Sequence, residues 1–411
     1  MMKRILILGG GTAGTMMAAK LVRMLPMDDW TVTVVDQDDQ HVYQPGLLFV
    51  PFGGYTLDEL VRPRSRVLPP AAKLVLAEID RIVPDENRVT LKGGESLPYD
   101  FLIIATGSRI VPAETEGLMG EGWRDTAFDF YTLDGAGALS EKLRAWKGGR
   151  LVVNVVEMPI KCPVAPLEFL FLAEAFFTRR GMRDKVEIVY ATPLDGAFTK
   201  KRTAELMGGM LKERGITVET LFNTGEVDGS ARLLKSWDGR EVPYDLLVTI
   251  PTHRGSAAIA TSGLGNELDF VPTDKHTLQS KAFANVFVIG DATDLSSSKA
   301  GSVAHFQAEV LTENLRRAIA GEPLDPGFDG HANCFIETGY GKATLIDFNY
   351  DVEPLPGKFP LPVVGPFSLL EETTANHWGK LAFKPIYWNV LLKGHELPTV
   401  GPRMRMAGKR A

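Results

Sequence analysis

The first 36 residues alternate between apolar runs and a glycine-rich turn, in the order expected of a βαβ unit. The pattern predicts a strand over residues 3–8, a helix over residues 13–24 and a second strand over residues 31–35 that ends at Asp36. Two strands joined through a helix indicate a parallel sheet, because parallel neighbours need a long crossover connection. The chain is therefore predicted to be an α/β protein, and its 411 residues allow roughly two to three domains.

The turn between the first strand and the helix has the sequence GGGTAG, with Gly9, Gly11 and Gly14 in G-x-G-x-x-G spacing. The first glycine permits a tight turn, the second lets the backbone approach a pyrophosphate, and the third allows close helix packing. The helix N-terminus attracts the phosphate charge, and Asp36 would accept a hydrogen bond from a ribose hydroxyl. The alternative, a glycine-rich turn without a ligand, would not need the acid after the second strand. The predicted cofactor contacts in this unit are Gly9, Gly11, Thr12, Ala13, Gly14 and Asp36.

Composition and charge exclude several classes of function. A net charge of -6 and a pI near 5.8 give no reason to expect nucleic acid as a partner. The N-terminal MMKRILIL enters a strand directly, which predicts no cleavable signal peptide, and no apolar run is long enough to predict a transmembrane helix. Cys162 and Cys334 are the only cysteines, too few for a disulfide scaffold or, by themselves, a metal site, so we predict no metal.

Two later strands carry motifs that resemble those of flavoproteins with two dinucleotide-binding domains. YDFLIIATGS predicts a buried strand over residues 101–105, and NVFVIGDAT predicts another over residues 286–289. In that superfamily the ATG strand returns the chain to the FAD domain, and the GD aspartate, here Asp291, binds the ribityl part of FAD. A helix predicted over residues 302–320 would point its N-terminus toward the flavin from beside Gly301. The resemblance implies further FAD contacts from Gln44, Ala105, Thr106, Gly107, Gly290, Asp291, Lys299 and Gly301.

A second α/β unit, predicted over residues 149–261, lacks the phosphate loop that a nicotinamide cofactor would need. The strand at 150–156 leads to a helix at 164–180 through the sequence EMPIKCPVAPLEF. This turn contains no glycine, and its prolines and the side chains of Met158 and Lys161 would obstruct a pyrophosphate. We therefore predict that the electrons do not come from NADH.

A cysteine occupies this turn instead. Pro166 suits the first turn of the following helix, so Cys162 lies just ahead of a helix N-terminus and next to Lys161. Both features favour the thiolate. The alternative is that Cys162 is a small buried apolar side chain.

Four stretches resemble the sulfide:quinone oxidoreductase family, which is close to the flavocytochrome c sulfide dehydrogenases. They are HVYQPGLLFVPFG at 41–53, PIKCPVAPLE at 159–168, CFIETGYGKATLIDFNY at 334–350 and NHWGKLAFKPIYWNVLLKG at 376–394. The resemblance implies FAD-dependent oxidation of hydrogen sulfide to polysulfide or elemental sulfur, with the electrons passed to a membrane quinone.

The same resemblance implies roles for individual residues. Cys162 and Cys334 would form the redox pair beside the flavin, with their Cα atoms within about 7 Å if they bond directly. Hydrosulfide would attack the bridging sulfur, leaving one cysteine persulfidated, and Cys334 would face the flavin. Glu168 would be a catalytic base, although a first-turn glutamate that stabilises its helix is an equal alternative. His41, in the loop beside Gln44, is expected to be structural.

After Tyr350 the sequence becomes proline-rich and then aromatic and basic. In the family this region holds the quinone and sits on the membrane, which implies quinone contacts from Phe335, Lys380 and Phe383. An interfacial anchor is predicted from aromatic and basic side chains at Phe367, Trp378, Lys380, Phe383, Lys384, Tyr387, Trp388 and Lys393. Its alternative is an ordinary amphipathic helix packed on the flavin domain. Residues from Arg403 onward are expected to be disordered or to face lipid.

The predicted fold is thus α/β, with two Rossmann-like dinucleotide-binding domains and a C-terminal membrane-associated region. The predicted limits are 1–110 with 285–330 for the FAD domain, 111–284 for the second domain and 331–411 for the quinone and membrane region. The chain is expected to be a peripheral membrane protein and, by family analogy, a homo-oligomer.

The family pattern breaks at one functional position. Many members carry a third cysteine early in the second domain, but this chain has Tyr131 near that place, so the FAD is predicted to be non-covalent. Three other functions remain open at this stage. They are a flavocytochrome-type sulfide dehydrogenase subunit, a type II NADH:quinone oxidoreductase, and a non-catalytic flavoprotein that senses sulfide or redox state.

Overall fold

The computed structural model describes residues 2–410 as strands and helices that alternate over most of the chain. The strands are β1 (Lys3–Leu8), β2 (Trp30–Asp36), β3 (Gln40–Val42), β4 (Val61–Pro63), β5 (Lys73–Leu76), β6 (Ile79–Val83), β7 (Arg88–Leu91), β8 (Ser96–Pro98), β9 (Phe101–Ile104), β10 (Ser108–Ile110), β11 (Ala127–Phe128), β12 (Gly149–Val155), β13 (Val186–Ala191), β14 (Ile216–Glu219), β15 (Thr224–Asp228), β16 (Leu233–Ser236), β17 (Glu241–Pro243), β18 (Leu246–Ile250), β19 (His253–Gly255), β20 (Val286–Val288), β21 (Ala332–Gly339), β22 (Lys342–Phe348), β23 (Gly357–Leu361) and β24 (Gly365–Leu369). The helices are α1 (Thr12–Met24), α2 (Arg64–Val67), α3 (Leu133–Ala145), α4 (Ala165–Arg179), α5 (Lys201–Glu213), α6 (Ala257–Ser262), α7 (Gly301–Ala320) and α8 (Thr374–Ile386).

The first sheet is parallel, with strand order β20-β9-β1-β2-β5. Its central strand β1 is fully apolar from Ile5 onward and almost completely buried, as expected of a strand covered on both faces. Strand β20 pairs with β9, with Val286 opposite Leu102, so a segment from late in the chain completes the N-terminal sheet. The carboxyl ends of β1, β9 and β20 therefore meet at one edge, which is where an α/β sheet binds its ligand.

The second sheet is also parallel, with order β11-β18-β12-β13-β14. Helix α4 begins directly after the PIKCP turn and is buried along nearly its whole length, because Leu, Phe and Ala occupy most of its positions. A 3₁₀ helix over Gln44–Phe52 from the first unit packs against α3 and α4, and Phe52 lies 5.0 Å from Phe169 between ring centroids. This contact brings the start of α4 close to the first sheet.

The C-terminal part is a mixed four-stranded sheet, β21-β22-β24-β23, covered on one side by α8. Among residues 2–410, no helix is both long and apolar enough to cross a lipid bilayer. Helix α8 is followed by a π-helical turn over Tyr387–Leu391, which returns the chain to the first sheet.

Residues 403–410 are tied to the C-terminal sheet and its neighbouring loops, which corrects the expectation of disorder from their charge. The Lys409 ammonium lies 2.6 Å from the Asp347 carboxylate, and both side chains are almost fully buried. Asp347 also accepts a hydrogen bond from His331 Nε2 at 2.7 Å, and Arg403 Nε donates to the Gly327 carbonyl. The basic tail is held on β22 because buried acceptors of the sheet and its neighbouring loops pair with its charges.

Candidate functional site

The glycine loop after β1 has the geometry that its spacing predicts. Gly9 has φ of +94°, and a Cβ there would collide with the Ala105 carbonyl oxygen. A Cβ on Gly14 would collide with the Gly9 carbonyl oxygen, so this glycine is what lets α1 start against the loop. A Cβ on Gly11, by contrast, would meet nothing within 4 Å, which leaves open space at the N-terminus of α1. That space suits a pyrophosphate.

Asp36, at the end of β2, holds the glycine loop by a hydrogen bond to its backbone. Its Oδ2 accepts the Gly10 backbone N–H at 2.7 Å and lies 3.0 Å from Arg64 Nη2. Burial raises the pKa of Asp36, and the Arg64 guanidinium opposes that shift. Arg64 is itself 5% exposed and was not predicted from sequence, because its partner lies 28 positions earlier and no motif links the two.

The other predicted FAD contacts line the same edge of the sheet. Ala105, Thr106 and Gly107 follow β9, and the buried hydroxyls of Thr106 and Ser108 find no hydrogen-bond partner among the residues that the structure describes. Gly290 and Asp291 follow β20 directly. Unsatisfied buried hydroxyls beside an open glycine loop fit a bound dinucleotide, which would supply the missing partners.

Lys299 and Gln44 were both predicted to contact FAD, and their surroundings differ. The Lys299 ammonium donates to the Asp291 and Thr293 carbonyls at 3.0 and 2.6 Å, and burial lowers its pKa to about 8. The Lys299 side chain thus stabilises the loop after β20 through these two hydrogen bonds. Gln44 is exposed at the first position of its 3₁₀ helix. Their contacts with the cofactor stay predictions.

The two cysteines lie on different elements that meet at one place. The Cys162 N–H donates to the Lys299 carbonyl at 2.6 Å, and Cys334 lies on β21, where the nearby Ser298 hydroxyl partly opposes the rise that burial causes in its pKa. A charge on Cys334 raises the pKa of Cys162, so the two side chains are electrostatic neighbours. No disulfide joins them in the described part of the chain.

The prediction of a Cys162 thiolate is wrong for this structure. Burial raises the pKa of the Cys162 thiol far above its usual range, and the Glu168 carboxylate raises it further. Burial likewise raises the pKa of Cys334 to about 11, although the Lys380 ammonium opposes the shift. The sequence shows a helix N-terminus and a lysine next to Cys162, but it does not show that water is excluded, and desolvation outweighs both.

Glu168 and Lys380 form a buried ion pair beside these thiols. Lys380 Nζ lies 2.7 Å from Glu168 Oε1 and donates to the Phe335 carbonyl at 3.0 Å. Glu168 Oε1 also accepts the Glu337 N–H at 2.9 Å, whereas Oε2 is buried without a partner within residues 2–410. Burial raises the pKa of Glu168, as a base would require, and the Glu168 charge holds the pKa of Lys380 above its usual range although burial opposes this.

The predicted quinone contacts are placed around this pair. Phe335 stacks edge-to-face on Phe367, with centroids 5.1 Å apart, and Lys380 bonds the Phe335 carbonyl. The Phe383 ring lies 3.9 Å from the position of a Cβ on Gly301, at the N-terminus of α7. The structure therefore brings Phe383 to the glycine-loop side and Phe335 to the thiol side of the same region.

The contacts of His41 and Tyr131 show what surrounds each side chain. His41 is structural as expected: its Nδ1 bonds the Gly10 carbonyl at 3.1 Å and its Nε2 bonds the Tyr387 hydroxyl at 2.7 Å. Burial lowers the pKa of His41 to about 4, so the ring is neutral. Tyr131, near the place where the family resemblance implied a third cysteine, donates its hydroxyl to the Cys162 carbonyl at 3.4 Å.

Comparisons with known proteins find similarity over most of the chain. The family model described as pyridine nucleotide-disulphide oxidoreductase matches residues 3–155. The mitochondrial sulfide:quinone oxidoreductase of Mus musculus is 28% identical over 399 residues, covering 95% of this chain and 86% of the relative. The corresponding protein of Dictyostelium discoideum is also 28% identical, over 397 residues, with the same coverage. Over most of its length the chain is similar to the sulfide:quinone oxidoreductases.

The fold agrees as well. The crystal structure of the sulfide:quinone oxidoreductase from Aquifex aeolicus superimposes with a TM-score of 0.81 at 20% identity, covering 96% of this chain and 92% of the other. The predicted α/β class with two Rossmann-like units is confirmed.

Sequence reasoning missed a second acid and base pair next to the site. His377 on α8 donates or accepts through Nδ1 to both carboxylate oxygens of Glu337 on β21, at 2.8 and 3.0 Å. The signal was present in part, because His377 and Lys380 are three residues apart and therefore share a helix face. What they face could not be known without the packing of α8 on β21.

Proposed function

We propose that this chain is a sulfide:quinone oxidoreductase, which oxidises hydrogen sulfide and reduces a membrane quinone. The observation that carries the proposal is the meeting of Cys162 and Cys334, 172 positions apart, beside the buried Glu168–Lys380 pair. Non-covalent FAD supplies the two-electron chemistry that links sulfide to quinone. The glycine loop, Asp36, the β9 turn and the loop after β20 hold it.

The cysteines carry the sulfur. In the oxidised enzyme they are joined, and hydrosulfide attacks one sulfur of the bridge, so that an S–S bond forms as another breaks. One cysteine becomes a persulfide and the other leaves as a thiolate. We assign the thiolate to Cys334, because burial raises the pKa of its thiol, to about 11, less than that of Cys162.

Glu168 and Lys380 are charged groups beside the two thiols, and each has a role in the proposed reaction. Glu168 has one carboxylate oxygen without a partner in the described chain, and its raised pKa lets it accept a proton from incoming sulfide. Lys380 keeps its charge and lies between the thiols and Phe335, where it can stabilise a reduced quinone oxygen. The division of the chain into the three predicted regions remains part of this proposal.

The deciding experiment adds sulfide and then a short-chain quinone to the FAD-loaded protein under anaerobic conditions. We expect sulfide to bleach the flavin absorbance and quinone to restore it. Bleaching by NADH instead would favour a type II NADH:quinone oxidoreductase and contradict the proposal. Bleaching by sulfide with no reoxidation by quinone would favour a haem-coupled dehydrogenase or a sensor.

A peripheral membrane location is also part of the proposal, but the anchor differs from the predicted one. Tyr387 and Trp388 are buried, and Lys380 is held by Glu168, so the aromatic and basic stripe does not face solvent as a unit. In the described part of the C-terminal region, the most exposed apolar side chains are Val363 and Val364, 87% and 78% exposed.

These valines form the tip of the β23–β24 hairpin. Leu361 in the same hairpin is 43% exposed, and Trp378 on the neighbouring helix α8 is 63% exposed. Helix α8 packs on β24, where Gly379 lets the ring of Phe367 approach. We propose that this hairpin tip inserts into the lipid interface. By family resemblance we also expect a homo-oligomer, which light scattering tests.

Replacing the hairpin valines with aspartate (Val363→Asp with Val364→Asp) is expected to weaken binding to anionic lipid vesicles by at least about tenfold, since burying a valine is worth roughly 1.5 kcal/mol. Cosedimentation measures the partition. Leu221→Asp is the matched control, because Leu221 is also exposed, at 55%, but lies in the second unit. Equal partition of the hairpin variant and the wild type would contradict this anchor.

A further inference from the structure

Two pairs of residues face each other across the contact between β21 and α8. On β21, Phe335 and Glu337 are two positions apart and so point to the same side of the strand. On α8, His377 and Lys380 are three positions apart and lie on one helix face. Lys380 bonds the Phe335 carbonyl, and His377 bonds the Glu337 carboxylate. The two contacts form a polar row between strand and helix, and the charges of Glu337 and Lys380 act on each other across it.

The row runs from a buried end to a more exposed one. The side chains of Glu168 and Glu337 are 0% and 2% exposed, that of Lys380 is 14% exposed and that of His377 is 21% exposed. The His377 ring packs edge-on against Trp378, which is mostly exposed. His377 is thus the most exposed member of the row, and Lys380 is exposed to a smaller extent.

Glu337 can change its protonation state near neutral pH. Burial raises its pKa to about 7, and hydrogen bonding and charge from His377, with the Lys380 charge, partly oppose the shift. The other titratable groups that act on it are Glu168 on α4 and Tyr55 beyond the 3₁₀ helix, whose own pKa Glu337 raises. The Glu337 backbone N–H also holds Glu168, so the two acids are coupled by a direct bond as well as by charge.

The proposed reaction needs one proton from outside the site. Hydrosulfide gives up two electrons as its sulfur reaches the zero oxidation state in the persulfide, and quinone takes those two electrons with two protons to become quinol. Hydrosulfide supplies only one of the protons. Since the Cys162 thiol and the Glu168 carboxylate are buried, a path along protein groups or ordered water would bring the second proton to them.

We infer that His377 and Glu337 form the relay that carries this proton from solvent into the pocket lined by Lys380 and Glu168. The inference rests on the proposed function. A proton binds the exposed part of the His377 ring, another passes from Nδ1 to a Glu337 carboxylate oxygen, and Glu337 releases it toward the buried pair. Neither residue touches the sulfur chemistry, so both act on quinone reduction alone.

The test separates the two halves of the reaction in a stopped-flow instrument. We expect Glu337→Gln and His377→Asn to keep sulfide bleaching within about twofold of the wild type. Reoxidation of the bleached enzyme by a short-chain quinone is expected to slow by about tenfold or more. The deficit is expected to grow from about pH 6 to pH 9, because fewer solvent protons reach the pocket directly. Both replacements preserve shape and hydrogen-bonding capacity, so a purely structural role would not produce this pH dependence.

A rescue experiment covers the case in which Glu337→Gln fails to bind FAD. His377 lies on α8 and is partly exposed, so a His377→Gly variant leaves a gap that free imidazole can reach. Added imidazole is expected to restore the reoxidation rate of this variant. The rescue should saturate with imidazole concentration and follow the imidazole pKa. His395→Asn is the matched control, because His395 is exposed and pairs with Arg23 on α1 rather than with Glu337. It is expected to behave as the wild type in both halves.

Three results would overturn the inference. The first is a normal reoxidation rate and pH profile in His377→Asn. The second is slow reoxidation of His377→Gly that imidazole does not improve. The third is an equal loss in His395→Asn. Failure of sulfide to bleach the wild-type flavin is a different result, because it would refute the proposed function itself.

Discussion

A Cys334→Ser variant is expected to bind FAD normally and to lose sulfide-driven bleaching by at least about 1000-fold, because serine cannot form or break the sulfur bridge with Cys162. The same loss is expected for Cys162→Ser. Anaerobic stopped-flow absorbance with sulfide measures the rate. Dithionite, which needs no cysteine, should still bleach both variants fully and so shows that the flavin remains competent.

Ser298→Ala is the matched control for this experiment. Ser298 is buried beside Cys334 and lowers the pKa of its thiol, so its removal changes the surroundings of the sulfur without removing it. We expect a loss of no more than about tenfold. A Cys334→Ser variant that sulfide bleaches as fast as Ser298→Ala would refute the role of the cysteine pair.

A Lys380→Met variant is expected to lower the free energy of unfolding by about 3 kcal/mol or more, because it leaves the Glu168 carboxylate buried without its cation. Glu168 is completely buried, and its Oε1 would keep only the Glu337 N–H. Adding Glu168→Gln to Lys380→Met is expected to recover most of the loss, since the pair then contains no charge. Urea unfolding of the FAD-loaded protein, followed by far-UV circular dichroism, measures both changes.

Lys92→Met provides the matched control, because Lys92 pairs with Glu78 where both side chains are more than half exposed. Its removal is expected to cost far less, since water solvates the remaining carboxylate. If the single Lys380→Met and the double variant unfold at the same urea concentration, the buried charge is not what makes the pair sensitive.

The sequence predicts the first sheet well because its signals are local. Strand β1, helix α1 and strand β2 begin within one residue of their predicted positions, since apolar periodicity and the glycine loop define each end. Gly9, Gly11 and Gly14 have distinct steric surroundings that match their predicted roles. The limits of the domains and the roles of the site residues stay predictions.

Properties that depend on distant contacts could not be predicted in this way. Burial and the Glu168 charge raise the pKa of the Cys162 thiol, which neighbouring residues in the sequence do not reveal. Arg64 meets Asp36, and Lys409 meets Asp347, only through the packing of separate elements. A basic tail has the same composition whether it faces lipid or is held by a buried aspartate.

The pairing of β20 with β9 has a consequence for how the protein is made. The strand that borders β9 lies at Val286–Val288, so a ribosome must synthesise all of the second unit before the first sheet can acquire its last member. Until then, the nascent chain leaves the edge of β9 without its neighbour, and the loop with Gly290 and Asp291 does not yet exist. Cofactor loading must therefore follow the emergence of β20, and in the interval the bare edge is open to chaperones or to mispairing.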